Sequence, residues 1–179
     1  MARTTFQGPV RSLGGIYQQG PATVVEVTAS TTLDPVAHAG RIISVGGSLA
    51  ANVVLTLPSI NVSTNSITSG PGQDPNTLNN EGVVYTIWVP TTISTSSLKI
   101  GTDGTDKFVG SVISVDTDSS GAVVGFTAAS TNDFINLNGT TTGGVAGTWI
   151  QIVAIAANKY MVTGSVLGSG SVATPFADS

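Results

Sequence analysis

Apolar and polar positions alternate along this chain in short bursts with a period of two. TVVEVT (23–28), RIISV (41–45), NVVLTL (52–57), VVYTIWV (83–89), SLKI (97–100), KFVGSVISV (107–115), AVVGFT (122–127), FINLN (134–138), TWIQIVAI (148–155) and KYMVTG (159–164) are rich in Val, Ile, Thr and aromatics. Gly, Pro, Asn or Asp bound them, which is the signature of strands. In KFVGSVISV, Phe108, Gly110, Val112 and Ser114 share one face, and Val109, Ser111, Ile113 and Val115 the other. In TWIQIVAI, Trp149, Gln151, Val153 and Ile155 oppose Ile150, Ile152 and Ala154. Apolar residues on both faces predict cover on both sides, by a second sheet and by a subunit or arm. Trp88 and Trp149 lie inside such strands and read as core. One helix signal stands out: Asp34-Pro35-Val36-Ala37 places an N-cap before a proline at the first helical position.

Strands this short and this regularly punctuated predict an all-β fold, an antiparallel β-sandwich or barrel of jelly-roll-like type. Asp103-Gly104 is expected to turn a hairpin between SLKI and KFVGSV, and Ala157-Asn158 one between TWIQIVAI and KYMVTG. Three zones separate. Residues 1–21 are broken by Pro9, Gly14, Gly15, Gly20 and Pro21 and read as an extended arm with apolar anchors Phe6, Val10, Ile16 and Tyr17. Residues 22–166 form a single β domain, and residues 167–179 a short extended tail anchored by Phe176. Within the body, residues 58–82 hold three prolines and little periodicity, and are expected to be an insertion on the outer surface or reaching a neighbour.

Charge changes the picture. Only 9% of the 179 residues are charged, against roughly 25% in ordinary globular proteins. Ser, Thr, Gly and Asn fill the gap, so the surface is hydroxyl-rich, covered by copies or by a larger assembly, or both. The arm holds Arg3 and Arg11 and no acid, while the remainder holds four basic and ten acidic residues. An arm of +2 on a body of −6 points to docking on something else. Six scattered basic residues form no stripe, which speaks against nucleic acid. The longest apolar run, Ile152 to Ala157, is too short for a membrane helix, and MARTTFQGPVRS has no apolar core of a secretory signal. With no Cys there is no thiolate chemistry or disulfide framework.

Candidate chemistry is sparse. The run GTTTGGVAG lacks the Lys of a phosphate-binding loop and is followed by a strand, so Gly139, Gly143, Gly144 and Gly147 read as a broad turn needing positive φ or close backbone approach. His38 is the single His and reads as a polar surface group, with no nucleophile motif nearby. DTDSSG, from Asp116, matches the front of a calcium loop through Asp116 and Asp118, but Thr127 stands where a bidentate Glu is required. No pair among Glu26, Asp74, Glu81, Asp103, Asp106 and Asp133 is selected by spacing, so no glycosidase dyad emerges. Cofactors and an enzymatic role are not expected.

The succession TASTTLDPVAHAGRIISVGG, ANVVLTLP, VVYTIWV, KIGTDGTDKFVGSV, DFINLNGTTTGGVAGTWIQIVAI and KYMVTGSVLGSGSVATPF resembles small tailed-bacteriophage virion proteins that accompany the capsid. The resemblance covers most of residues 22–176 and rests on turn and strand landmarks: Leu-Pro, Asp-Gly-x-Asp and Leu-Asn-Gly-Thr-Thr-Gly-Gly. RTTFQGPVRSLGG also looks like the leaders of such proteins. The 58–82 segment departs from the shorter loop expected there. The resemblance implies a capsid decoration (cement) or head-fibre role on the virion exterior. The partners are then the major capsid protein and the chain itself, often as a homotrimer. Phe6, Val10, Arg11, Ile16, Tyr17 and Phe176 are the expected capsid or subunit contacts, with Arg3 pairing to acidic capsid sites. The alternative is a tail-fibre or receptor-binding tip that reads a host glycan through residues 58–82.

Overall fold

A computed structural model gives the fold and describes residues 20, 23–49, 51–62, 79–118 and 121–178. Among these the order is β1 (Val24–Glu26), β2 (Thr31–Thr32), α1 (Pro35–His38), β3 (Ile42–Ser44), β4 (Val53–Thr56), β5 (Val84–Trp88), β6 (Leu98–Gly101), β7 (Lys107–Asp116), β8 (Val123–Thr127), β9 (Phe134–Leu137), β10 (Trp149–Ala156), β11 (Lys159–Gly168) and β12 (Phe176–Ala177). The protein is all-β, with two mixed sheets. A seven-stranded sheet runs β1-β3-β5-β10-β11-β7-β8, and a five-stranded sheet runs β12-β9-β6-β4-β2.

The antiparallel expectation is corrected. The first six strands alternate between the two sheets, and each pairs parallel with the strand two before it: β1 with β3 and β3 with β5, β2 with β4 and β4 with β6. Parallel neighbours cannot be joined by a tight hairpin, because the chain must first return to its starting end. Here the strand in the opposite sheet makes that return, so the chain winds as a three-turn coil. The Asp103-Gly104 turn is therefore no hairpin: it carries the chain from β6 in one sheet to β7 in the other. It is tight all the same. Thr102 Oγ1 donates to the Asp106 carbonyl at 2.6 Å, and the Asp103 carboxylate accepts the Thr105 and Asp106 amides.

The Ala157-Asn158 hairpin is present, with Asn158 at φ 60°. The β10–β11 pair it creates inserts between β5 and β7, antiparallel to β5 through β10 and parallel to β7 through β11. The α1 signal also holds, with Pro35 opening the helix and Asp34 accepting the Val36 and Ala37 amides. Within residues 167–178 two strand segments are described. β11 runs to Gly168, and Phe176 pairs with Ile135 at the edge of the five-stranded sheet.

Strands of both sheets contribute to one buried apolar cluster. Leu55, Leu98, Ile100, Ile135 and Leu137 from the smaller sheet belong to the same buried cluster as Ile43, Tyr85, Ile87, Phe108, Ile152 and Val162 from the larger. Each such side chain contributes about 1.5–3 kcal/mol by leaving water. Lys107 reaches from the start of β7 to Asp133, just before β9, at 2.8 Å. This ties the two sheets through a carboxylate that is almost fully buried.

The Gly/Thr run crosses from β9 to β10 as a broad turn. Asn138 Oδ1 accepts the Thr140 and Thr142 amides, and the Gly139 amide donates to the Gly143 carbonyl. Gly139 has φ 77°, and a Cβ there would collide with the Ile93 carbonyl. Gly104 has φ 86° with open space around it. In urea denaturation, Gly139→Ala is expected to cost about 3 kcal/mol, combining left-handed backbone strain and a backbone clash. Gly104→Ala, with strain alone, is expected to cost about 1 kcal/mol.

Candidate functional site

His38, Asp103, Asp116 and Asp118, singled out by sequence, hold turns. His38 is buried rather than a surface group, and its Nδ1 accepts the Asp34 amide at 2.8 Å, closing α1 on itself. Asp116 accepts the Asp118 amide at 3.0 Å, and Asp118 accepts the Gly170 amide at 2.6 Å. The two carboxylates thus join the turn after β7 to the loop after β11, beside an open cleft of about 520 Å³ lined also by Val124 and Val172. Among the described residues no three His, Asp or Glu side chains group to hold a metal ion.

A second polar cluster pins both ends of the 58–82 segment. The buried Asn80 donates through Nδ2 to the Ser59 carbonyl and accepts the Asn61 amide, each at 2.9 Å. Asp106 accepts the Ile60 amide at 2.9 Å, and the Tyr160 hydroxyl donates to the Pro58 carbonyl. Burial, with Asp103 nearby, raises the Asp106 carboxyl above the usual range against the lowering effect of the Ile60 amide. Burial acts upward on Asp103 too, but the Ser59 hydroxyl and the turn amides outweigh it and bring the group below its usual value. The expectation that this segment lies outside or reaches a neighbour concerns residues 63–78, which lie outside the described residues.

The feature that these anchors leave open is the outer face of the seven-stranded sheet. Directly opposed residues on neighbouring strands share a face, so the register lays out transverse rows. One row is Ser44–Trp88–Trp149–Ser165–Ile113. The next is Val24–Ile42–Thr86–Gln151–Thr163. A third is Val84–Val153–Met161–Val109. Inward neighbours such as Ile87, Ile150 and Ile152 are buried, whereas Trp88 is 38% exposed, Trp149 39% and Ile113 54%. The reading of both tryptophans as core is corrected: they stand opposite each other on the solvent side. Ionisable strand residues on this face sit only at its margins: Glu26 on the edge strand, and Lys107 and Lys159 where β7 and β11 begin. Lys107 is engaged by Asp133.

Arg3, Phe6, Val10, Arg11, Ile16 and Tyr17, the expected arm contacts, lie outside the described residues. Phe176 is placed in the chain's own core at 6% exposure. The Trp pair was the functional feature that sequence reading missed. Its signal was there in the phase, since both residues are out of step with Ile87, Ile150 and Ile152. Comparison with family models, with curated proteins and with solved structures gives no match.

Two buried tyrosines separate packing from hydrogen bonding. Burial raises both phenols well above their usual range, with Asp34 adding to the effect at Tyr85 and Tyr85, Asp106 and Asp103 at Tyr160. Among the described residues the Tyr85 hydroxyl meets no acceptor. Tyr85→Phe is therefore expected to be neutral or slightly stabilising, and Tyr160→Phe to cost about 1–2 kcal/mol by orphaning the Pro58 carbonyl. The unfolded chain ionises its tyrosines near pH ~10 while the folded chain keeps these two protonated, so their contribution is full below that pH and is lost as pH rises toward the raised folded values. Denaturant melts between neutral and strongly alkaline pH should show that decline, and it should be weaker in the double Phe variant.

Proposed function

We propose that this chain is a non-enzymatic structural protein of a virion that binds the outside of a preformed capsid shell and stabilises it. The observation that carries the reading is the broad, nearly uncharged outer face of the seven-stranded sheet. Its Val, Ile, Met and Trp side chains stand exposed beside hydroxyl and amide groups. Such a surface suits a protein neighbour. His38 and the carboxylates of Asp106, Asp116 and Asp118 are hydrogen-bonded to backbone amides of turns and loops. A two-layer sandwich is the arrangement we favour for the mixed sheets, since residues of both enter one core cluster.

A protein that binds the assembled shell but not its separated subunits shifts assembly by mass action, and many copies multiply a modest site energy. The basic arm, residues 1–21, is the segment proposed to engage the shell, with Arg3 and Arg11 meeting acidic capsid groups. The rival reading is a receptor-binding tip for a host glycan, favoured by one observation: the paired Trp88 and Trp149 beside Gln151 and Thr86. Stacking of sugars on exposed aromatic rings is common chemistry.

Mixing the purified protein with expanded capsids that lack it should give co-sedimentation, and deletion of residues 1–20 should abolish it. Failure of the full chain to sediment with capsids sinks the capsid reading. Equal binding by the truncated chain sinks the role of the arm alone. Glycan-array binding without capsid affinity favours the rival.

A further inference from the structure

We propose that the outer face of the seven-stranded sheet is where two copies of this chain pair, face to face about a two-fold axis. The inference rests on the reading of this face as a protein-binding surface and names a second copy as its occupant, which leaves engagement of the shell to the basic arm, residues 1–21. Six inter-strand spacings and the eight-residue β10 give a face about 29 Å wide and about 27 Å long, roughly 780 Å². A standard stable interface buries about 800 Å² per partner, so the whole sheet, rather than a corner of it, is the right size for one neighbour.

Charge selects the neighbour. A foreign partner is usually chosen by complementary charge, which steers encounter and rejects wrong surfaces. The middle of this face offers none: Trp88, Trp149, Gln151, Val153 and Met161 occupy it, and the ionisable strand residues lie at its margins. A neutral centre meets its own copy without like-charge repulsion. The transverse rows alternate in chemistry, and a two-fold axis can set the Trp row of one copy against the aliphatic row of the other. A single patch facing itself gives an isologous, two-fold contact, whereas a trimer needs two different patches. The structure thus points to a pair as the unit held by this surface, in place of the homotrimer that the sequence resemblance implies.

Native mass measurement and sedimentation of the full chain, without capsids, decide the matter. The wild-type protein is expected to be a dimer at about 10 μM. Met161→Lys should weaken the dimer roughly tenfold or more by burying an unpaired charge at the centre, while circular dichroism shows the strands intact. Ile113→Lys should act in the same direction and serves if the first variant does not fold. Val36→Lys, on the exposed side of α1, should leave the dimer unchanged. A monomer at about 100 μM, a trimer, or a dimer indifferent to both Met161→Lys and Ile113→Lys overturns the proposal. So does a monomer whose Trp emission shifts with cello- or malto-oligosaccharides, the outcome that assigns the face to glycan. Capsid co-sedimentation is read separately, so loss of dimerisation and loss of the shell-binding reading are distinguishable.

Discussion

The chain changes sheet at each of its first six strands, and every other feature of the protein depends on that alternation. Neither sheet can bury its inner face alone. Strands of both sheets feed one buried cluster, in which Val53 and Leu55 stand with Ile43 and Ile87. Parallel pairing follows from the winding, because strands two apart in sequence run in the same direction. The turns at the ends of the coil must then span the distance between layers. They do so with side-chain hydrogen bonds where the backbone cannot: Asp34 and His38 around α1, and Asp103 and Thr102 between β6 and β7.

With the buried cluster drawn from both sheets, the exposed faces decide what the protein can meet. On the smaller sheet, Lys99 lies over the Phe134 ring at 5.7 Å, and Phe134 in turn occupies the space above Gly101. That face carries its charge near its middle. The larger face does the reverse, with aromatic and aliphatic side chains central and charge marginal. The two sides of one small domain therefore present different solvents' worth of chemistry, and the asymmetry follows from which residues fall on odd positions of β5, β10 and β11.

Much of the secondary structure was legible because period-two alternation and turn residues are local signals. Asp34-Pro35 marked α1, Ala157-Asn158 marked its hairpin, and Asn138 with its glycines marked a broad turn. Strand direction was not legible, because it is fixed by which distant segment lies alongside. Asp103-Gly104 has the same local chemistry whether it joins two strands of one sheet or two strands of different sheets. The outward placement of Trp88 and Trp149 failed for another reason. Composition said that large aromatics are buried, while phase said that these two oppose Ile87 and Ile150, and phase carries the geometry. The role of Phe176 was half legible: it is an anchor, but for its own sheet. The buried duties of Asp106, Asn80 and Tyr160 could not be read, since their partners lie up to 102 positions away.

The insertion of β10 and β11 between β5 and β7 also orders events in time. Until Trp149 and the residues after it exist, the larger sheet is two fragments, β1-β3-β5 and β7-β8, each with an open edge facing the gap. Unpaired edges of this kind invite pairing with the wrong chain. A ribosome delivering these strands in order must therefore hold β1 to β9 before the central strands of the larger sheet exist. Residues 149–168 are the wedge that joins the halves, and the vulnerable interval of synthesis ends only when that hairpin has been delivered.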